Sequence, residues 1–413
     1  MPRRPIRPPA LPESFVESPA DYAECLDHLA RCTHVAFDTE FVGEHSYRPE
    51  LCLIQVATEE RLIVIDPYSV GPLEPFWELL ADRDRQVVVH AGREEIRMCR
   101  FGIGRPPANL IDLQVAAGFV GLTYPISYAG LVHDVLGQRI AKGETLTDWR
   151  RRPLTPAQMK YAFDDVRFLL PAWTRLAEAL NKRRRMDWVA EEFQTSVRRA
   201  LNNEDPTTER WRKVKGLGGL DRRGLAVARE LIAWRDRTAE RQNRPPRTVV
   251  RDDLISELAR RQPRTLEDLA AVRGIPKAEQ ADVLAAVRTA MSSRPESWPE
   301  LPEREFDPPN LTLLTQLLNV VLAEFADRER LAPNLCTTQS DLRAVVRSKQ
   351  SGEPIAIDNV LASGWRSRVV LPHLLAVLDG TKAVRVSDPN AVHPIGVVEL
   401  RKVGQTPNPA RES

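Results

Sequence analysis

Cysteine is scarce in this sequence, with five residues in a chain of 413. The five are scattered, and no two of them form a CxxC pair. This spacing argues against a disulfide framework and against a structural zinc site. We therefore predict reduced thiols that serve mainly as packing residues.

Long apolar runs are missing as well. No stretch approaches the roughly 20 apolar residues that span a bilayer, and the first residues, MPRRPIRPPALPESF, lack the apolar core of a secretory signal. Neither sign of charge is in large excess, since the formal net charge is +2. A hydrophobic fraction of 42% excludes wholesale disorder. We predict a cytoplasmic protein without membrane contact.

The chain is too long for one ordinary core, and its 413 residues indicate roughly two to four domains. Proline-rich and strongly basic stretches interrupt the hydrophobic periodicity and mark the boundaries. They divide the chain into a disordered arm (1–13), a first domain (14–182), a linker helix (183–207), a helical unit (208–292), a linker (293–309), a second helical unit (310–386) and a loosely held tail (387–413).

Strand-like segments occur only in the first domain. Apolar runs bounded by turn signals predict strands at residues 34–41, 51–58, 61–66 and 86–90. Two glutamates separate the second run from the third, which suits an antiparallel hairpin. With helical stretches between the other runs, the pattern predicts an α/β fold, a mixed sheet flanked by helices, followed by all-α units.

Two acidic residues in the first strand form the first candidate site. Asp38 and Glu40 lie two apart in FDTEF, so both side chains point to the same face of a strand. Buried carboxylates are unfavourable unless their charge is offset, and oxygen ligands suit magnesium or manganese. The alternative is a solvated pair at a strand end.

A second acidic site lies on a helix that should begin after Thr155. Pro156 at the first position and Gln158 as capping-box partner predict this start. We predict that this helix is continuous. Tyr161 and Asp165, four residues apart, are then neighbours at the border of its apolar stripe. The alternative is a tyrosine and an aspartate that share a hydrogen bond at the helix edge.

The third candidate is a strand that runs into a helix, HAGREEIRMCRF, with two acids. Glu95 has Met98 and Cys99 one turn on, whereas Glu94 neighbours Arg97 on the polar side. This phase favours Glu95 as the inward carboxylate. The alternative is an ordinary solvated helix start.

Together, FDTEF, HAGREEI and YAFDD resemble the three motifs of the DEDD exonuclease superfamily. The tyrosine four residues before the last aspartate places the resemblance in the DEDDy subclass. The surrounding text, including KGETLTDWRRRPLTPAQMKYAFDDV, is similar to the ribonuclease D family over about residues 15–180. The implied fold is a ribonuclease H-like mixed sheet flanked by helices.

The resemblance implies a metal-dependent 3′-5′ exoribonuclease that releases nucleoside 5′-monophosphates. Two divalent cations, Mg²⁺ or Mn²⁺, would clamp the scissile phosphate. By position in the motifs, the implied metal ligands are Asp38, Glu40, Glu95 and Asp165, and Tyr161 would orient or help to deprotonate the attacking water. One departure is plain, because the second motif normally supplies aspartate where this chain has Glu95.

Several further side chains are candidates to line the substrate path, since cations and hydrogen-bond donors hold phosphates in register. Each is also compatible with a purely structural role, and we keep them apart from the catalytic set. They are Gln55, His90, Lys142, Arg150, Arg151 and Arg152.

Residues 209–275 resemble an HRDC domain, a small helical bundle associated with nucleic-acid binding. The similarity rests on ELIAWRDRTAERQNRPP, on DDLISELA and on LEDLAAVRGI. From residue 208 to residue 280 there are 18 Lys and Arg against 11 Asp and Glu. Such an excess neutralises phosphates and makes binding salt-dependent, although a solvated charged surface has the same composition. Residues 310–386 resemble a second, degenerate HRDC unit.

The favoured function is trimming of RNA 3′ ends, with single-stranded ends and transfer RNA precursors as the implied partners and a monomer as the favoured state. One alternative is a catalytically weak or silent RNA-binding protein in which Glu95 spoils metal binding. Another is a DNA-directed 3′-5′ exonuclease, because no motif here recognises the 2′-hydroxyl.

Overall fold

A computed structural model describes residues 10–44, 46–140, 147–202, 209–301, 307 and 309–400. Most of the predicted amino-terminal arm and the candidate Lys142 lie outside these ranges. All five cysteines lie inside them and are free. Of the helices within these ranges, none is long and apolar enough to cross a membrane.

The first domain contains a six-stranded mixed sheet in the order β1-β4-β3-β2-β5-β6. The β2–β3 and β3–β4 pairs are antiparallel, and the β1–β4, β2–β5 and β5–β6 pairs are parallel. The mixed sheet and the hairpin predicted from sequence are confirmed. The strands are β1 (Glu13–Val16), β2 (His34–Val42), β3 (Glu50–Ala57), β4 (Leu62–Ile65), β5 (Gln86–Val89) and β6 (Leu110–Asp112).

Helices cover both faces of this sheet. Helices α1 to α3 pack on one face, over the side chains of Phe37, Ile54 and Ile63. Helices α4 to α7 pack on the other, over Ala36, Ala57 and neighbouring residues. The bounds are α1 (Pro19–Ala30), α2 (Glu74–Leu80), α3 (Arg93–Ile103), α4 (Leu113–Gly118), α5 (Tyr128–Leu136), α6 (Pro156–Arg167), α7 (Leu169–Lys182) and α8 (Met186–Asn202).

The helix predicted after Thr155 begins as expected. Thr155 accepts from the Gln158 amide, and the Gln158 side chain accepts from the Thr155 amide, which completes the capping box. The predicted continuous helix is wrong, however, because α6 ends at Arg167 and α7 begins at Leu169. The backbone amide of Phe168, at this junction, donates to the Tyr128 hydroxyl from α5.

Residues 209–301 form a separate helical bundle with its own hydrophobic core. Its contact with the first domain includes Arg48, whose amide donates to Asn243 at 3.0 Å and whose guanidinium pairs with Glu240 at 2.6 Å. The bundle is built from α9 (Arg222–Arg241), α10 (Pro246–Val249), α11 (Asp252–Arg261), α12 (Leu266–Ala270) and α13 (Gln280–Ser292).

The described residues of the last helical unit, 309–386, share the hydrophobic core of the first domain. The buried side chains of this unit join those of α4, α7 and α8 in one continuous cluster. Trp365 stacks on Trp188 at 5.3 Å and meets Phe119 edge-on at 5.2 Å. Any side chain at Gly118 would collide with Leu335, 2.3 Å from an ideal Cβ. The unit comprises α14 (Leu311–Glu329), α15 (Pro333–Cys336), α16 (Gln339–Ser351) and α17 (Gly364–Leu378).

Buried charged side chains stabilise the same interface. Arg366 pairs with Glu192 of α8 at 2.6 Å, and both side chains are almost fully buried. Arg185 donates to the Phe119 carbonyl at 2.9 Å and to the Glu329 carbonyl at 2.5 Å. Removing one partner of such a pair leaves an uncompensated buried charge. The last helical unit is therefore joined to the rest of the molecule by a fixed interface rather than by a loose tether.

Trp365→Ala should therefore lower the free energy of unfolding by about 3–5 kcal/mol, because truncating a buried aromatic side chain leaves a cavity. Since the core is shared, urea titrations followed by circular dichroism and by nuclease activity should shift together. Leu313→Ala, at an exposed position of α14, serves as control and should change stability by less than about 0.5 kcal/mol. Loss of helix without loss of activity at the same urea concentration contradicts the shared core.

The prediction of a loosely held tail from residue 387 is wrong for residues 395–399. Strand β7 (Lys382–Val386) pairs with β8 (Ile395–Glu399) in an antiparallel hairpin. The apolar run in GVVEL is too short to show the alternating pattern of a strand. In the structure, however, β8 contacts α14 and completes a local two-stranded sheet. Residues 401–413 lie outside the described ranges.

Candidate active site

Strand β2 carries the first two carboxylates at the point where its pairing changes. The parallel β2–β5 register ends at Ala36 opposite Val88, while pairing with β3 continues. Asp38 and Glu40 therefore lie beyond the end of β5, both on the face that α6 covers. A register shift between Glu40 and Phe41 then bends the strand.

The space beside β2 is filled by the amino-terminal end of α3, which follows β5 through a three-residue turn. Ala91 in this turn has a positive φ of 58°. Any Cβ at Gly92 would lie 2.3 Å from Val89, so only glycine fits. Asp112 on β6 accepts from the Ala91 amide at 3.0 Å and from the Gly92 amide at 3.2 Å, and so fixes where α3 begins.

Glu95 in the first turn of α3 points towards β2, as its position in the helix predicted. Its side chain is 5% exposed and accepts from the Thr39 hydroxyl at 2.8 Å. It also interacts directly with the Asp38 carboxyl. Glu94, by contrast, pairs with Arg97 at 2.7 Å on the polar side.

Helix α6 brings the remaining two residues from the other side. Asp165 is 9% exposed, and its buried Oδ2 atom has no hydrogen-bond partner among the residues that the structure describes. The Tyr161 hydroxyl lies one turn earlier and interacts with the Asp165 carboxyl. Asp164 faces away and pairs with Lys160 at 2.5 Å and with Arg167 at 2.9 Å. The structure thus brings Tyr161 and Asp165 together and separates them from Asp164.

The charge of Asp38 acts on each of the other three carboxyls and raises their pKa values. Burial raises the pKa of Asp38 to about 6. Burial and the charge of Asp38 raise the pKa of Glu40 to about 8, and they hold the pKa of Glu95 well above its usual range. Burial and the charges of Asp38 and Glu40 raise the pKa of Asp165 to about 9. The four groups cannot all ionise at neutral pH without a neighbouring cation.

The donor set fits a hard divalent cation. All four side chains offer carboxylate oxygens, and the unpartnered Oδ2 of Asp165 is free to act as a ligand. Within the described ranges, no three His, Cys, Asp or Glu side chains are placed so that they could hold one metal ion together. Magnesium needs fewer protein ligands, because it binds through one or two carboxylates together with water and substrate phosphates.

Two residues that the sequence did not single out support this pocket. Asp112 holds the turn before α3, as described above. The Tyr128 hydroxyl donates to the Asp164 carbonyl at 3.0 Å, and the charge of Asp165 adds to burial in raising its pKa. Both lie outside the three motifs, and only the tertiary packing reveals them.

The described residues that were predicted to line the substrate path are each held by contacts within the protein or buried in the sheet. His90 Nε2 lies 3.1 Å from the Ile126 carbonyl, and its ring packs against Tyr128. Gln55 is fully buried opposite Asp38 in the β2–β3 register. Arg150 and Arg151 both pair with Asp148, and Arg152 pairs with Asp66.

Comparison with known proteins agrees with this geometry. Residues 14–181 match a family described as 3′-5′ exonuclease, and residues 224–287 match the HRDC domain. The chain is 32% identical over 372 residues to ribonuclease D of Gluconacetobacter diazotrophicus, which covers 89% of this chain and 93% of that relative. The chain belongs to the ribonuclease D family. Ribonuclease D of Acidiphilium cryptum is similar, with 34% identity over 371 residues, 87% of this chain and 92% of that one.

Solved structures place the ribonuclease D fold over nearly the whole chain. The Escherichia coli RNase D structure matches with a TM-score of 0.79 and 25% identity, covering 90% of this chain and 99% of that one. A protein from Bifidobacterium adolescentis has the same fold, with a TM-score of 0.64 and 20% identity over 91% of this chain. The predicted fold class and the predicted family are confirmed, and the molecule is a 3′-5′ exoribonuclease.

The departure at Glu95 from the usual ribonuclease D motif leads to a prediction. Glu95→Asp should reduce turnover about tenfold, because a side chain shorter by about 1.5 Å loses the Thr39 hydroxyl and retracts from Asp38. Titration of activity with Mn²⁺ should also show a higher half-saturating concentration. Glu94→Asp, on the polar side, is the control. A Glu95→Asp variant more active than the parent protein contradicts this account and indicates that Glu95 weakens the centre.

Proposed function

We propose that Asp38, Glu40, Glu95 and Asp165 hold two divalent cations, Mg²⁺ or Mn²⁺, and that this pocket is the exoribonuclease centre. The observation that carries the proposal is the convergence of four desolvated carboxyls from β2, α3 and α6, each with a raised pKa. Divalent cations offset this mutual repulsion and explain why such a costly arrangement is retained.

When bound, such a pair of ions polarises the scissile phosphate and stabilises the leaving 3′ oxygen. The protein's part is to hold the carboxylates and to orient water. Burial and the charge of Asp165 raise the pKa of Tyr161. The Tyr161 hydroxyl, one helical turn before Asp165, orients the attacking water or helps to deprotonate it. The products are nucleoside 5′-monophosphates.

We propose single-stranded RNA 3′ ends, in particular those of transfer RNA precursors, as substrates. Burial is the leading cause of the raised pKa of all four carboxyls, and an unpaired end reaches such a buried site more readily than a duplex does. The excess of Lys and Arg in residues 208–280 supplies sequence-independent affinity for phosphates. The E. coli relative is described as an exoribonuclease involved in structured RNA processing, which is consistent with this choice.

The domain boundaries remain part of the proposal. We assign the exonuclease domain to 14–182 and the HRDC domain to 208–292, supported by the family matches to residues 14–181 and 224–287. A second HRDC-like unit at 310–386 is supported by its four helices. We further propose a monomer that acts in the cytoplasm. Light scattering with and without RNA tests the oligomeric state.

The decisive experiment uses 5′-labelled oligonucleotides of one sequence as RNA and as DNA, with Mg²⁺, with Mn²⁺ and with a chelator. Stepwise shortening of RNA in either metal, with mononucleotide products, supports the proposal. Equal or faster shortening of DNA favours the DNA-directed alternative, and RNA binding without shortening favours a silent protein. A transfer RNA precursor with a 3′ trailer, set beside the mature transfer RNA, tests the substrate class.

A further inference from the structure

The sequence offered Arg150, Arg151 and Arg152 as candidates to line the substrate path, but Arg152, at the end of the turn Trp149–Arg152, has no donor left for a phosphate. Nε and Nη2 of Arg152 bind both oxygens of Asp66, at 2.5 and 2.9 Å. Nη2 also donates to the Cys52 carbonyl at 2.8 Å. Nη1 donates to the carbonyls of Trp149 and Arg151, at 2.8 and 3.0 Å. These bonds use all five N–H groups of the guanidinium.

The acceptors of Arg152 belong to three different parts of the first domain. Asp66 follows β4 and is almost fully buried, and Cys52 lies on β3. The other two carbonyls lie in the turn itself. The guanidinium also lies over the ring of Tyr68, 5.0 Å from its centroid. Arg152 therefore ties the turn to the sheet at one fixed position, through a planar fork that lysine does not reproduce.

The same turn supports the pocket through Trp149. Its side chain is 3% exposed, and its ring lies 5.9 Å from the ring of Tyr161 at an angle of 36°. Tyr161 is half-buried on the border of α6, so its ring packs against the indole while its hydroxyl interacts with Asp165. A hydrogen bond that holds the Trp149 backbone thereby fixes the surface against which Tyr161 packs.

We propose that Arg152 is a positioning residue that sets the orientation of Tyr161 through Trp149, with Asp66 as its anchor. The inference rests on the proposed role of Tyr161 in orienting water. It assigns no contact between Arg152 and RNA. A displacement of about 1 Å far from the reacting atoms is enough to slow a reaction appreciably, so loss of the clamp should appear in turnover.

The test measures kcat and KM for Arg152→Ala, Arg152→Lys, Tyr161→Phe and the double variant Arg152→Ala with Tyr161→Phe. We expect kcat to fall about tenfold in both Arg152 variants, with KM within twofold, and about 100-fold in Tyr161→Phe. In the double variant, kcat should equal that of Tyr161→Phe alone, since Arg152 acts only through the phenol. Lysine should fail to rescue because it keeps the charge but not the fork.

Arg85→Ala is the matched control. Arg85 is a buried arginine that donates to the Cys32 carbonyl at 2.7 Å before the start of β5, at the opposite end of the parallel strands. Its loss should lower the melting temperature without changing kcat in the folded protein. Circular dichroism at the assay temperature confirms that each variant is folded, and Arg152→Lys serves as the test variant if Arg152→Ala is not.

Three outcomes would contradict the positioning role of Arg152 or the role of Tyr161 on which it rests. A raised KM in Arg152→Ala that lysine restores overturns the positioning role and returns Arg152 to the substrate path. An unchanged kcat in both Arg152 variants also overturns it, while leaving Tyr161 untouched. If Tyr161→Phe itself retains full kcat, the proposed role of the phenol fails, and the clamp then has no catalytic target.

Discussion

Asp38→Ala should reduce turnover by roughly 10³- to 10⁴-fold while leaving RNA affinity within about threefold. Each factor of ten in rate corresponds to about 1.36 kcal/mol, and a metal ion at a phosphoryl oxygen contributes several kcal/mol. Asp38 interacts with Glu95, and its charge raises the pKa of Glu40 and Asp165, so it is central to the pocket. Single-turnover cleavage and filter binding of the same labelled RNA give the two quantities.

RNA affinity should persist because most of the phosphate-binding charge lies in residues 208–280, outside the pocket. Glu59→Ala is a suitable control, since Glu59 is an exposed carboxylate in the turn between β3 and β4. It should keep the activity of the parent protein. Cleavage by Asp38→Ala within tenfold of the parent would remove this pocket as the catalytic centre.

The parts of the site that were predictable from sequence are those whose geometry is local. Asp38 and Glu40 share a face because of the strand period, and the capping box at Thr155 fixes the phase of α6. The phase of α3 likewise places Glu95 inward and Glu94 outward. Each of these follows from a few consecutive residues. Their meeting at one point followed only from the family resemblance.

The parts that escaped prediction depend on residues far apart in sequence. Arg152 reads as one of three basic residues, and only the burial of Asp66, 86 positions away, shows that it is a clamp. Strand β1 is four residues long and pairs with β4 without a periodicity of its own. The break at Phe168, by contrast, has a local cause that the prediction overlooked: Pro171 has no amide to donate to the Arg167 carbonyl, and its ring collides with that carbonyl, so α6 ends there.

The shared core of the last helical unit gives that unit a physical role next to the site. Helix α8 packs against α3, which carries Glu95, and against α17 through Trp188 and Trp365. Asn334 also donates to the carbonyl of Tyr124, two residues before Ile126, whose carbonyl lies beside His90. The unit therefore buttresses the elements that position the pocket, whether or not it contacts RNA.

Asp165→Asn should remove almost all activity, by roughly 10³-fold or more, and at the same time stabilise the protein when metal is chelated. The amide keeps the size of the side chain but removes a carboxyl whose pKa is raised to about 9, chiefly by burial and then by the charges of Asp38 and Glu40. In excess chelator at pH 8, we expect the melting temperature of the variant to exceed that of the parent by about 2 °C or more.

The sign follows from proton binding. An aspartate with a raised pKa binds more protons folded than unfolded between about pH 4 and pH 9, so the stability of the metal-free parent falls as pH rises through this window. The advantage of Asp165→Asn should therefore be small near pH 5 and larger at pH 8. Added Mn²⁺ should reverse the order, because the parent retains a metal ligand that the variant lacks. Asp164→Asn, which changes an aspartate on the outer side of the same helix, should retain turnover and show no such reversal. A variant less stable than the parent in chelator at every pH contradicts the crowding of charge on which the metal site is proposed.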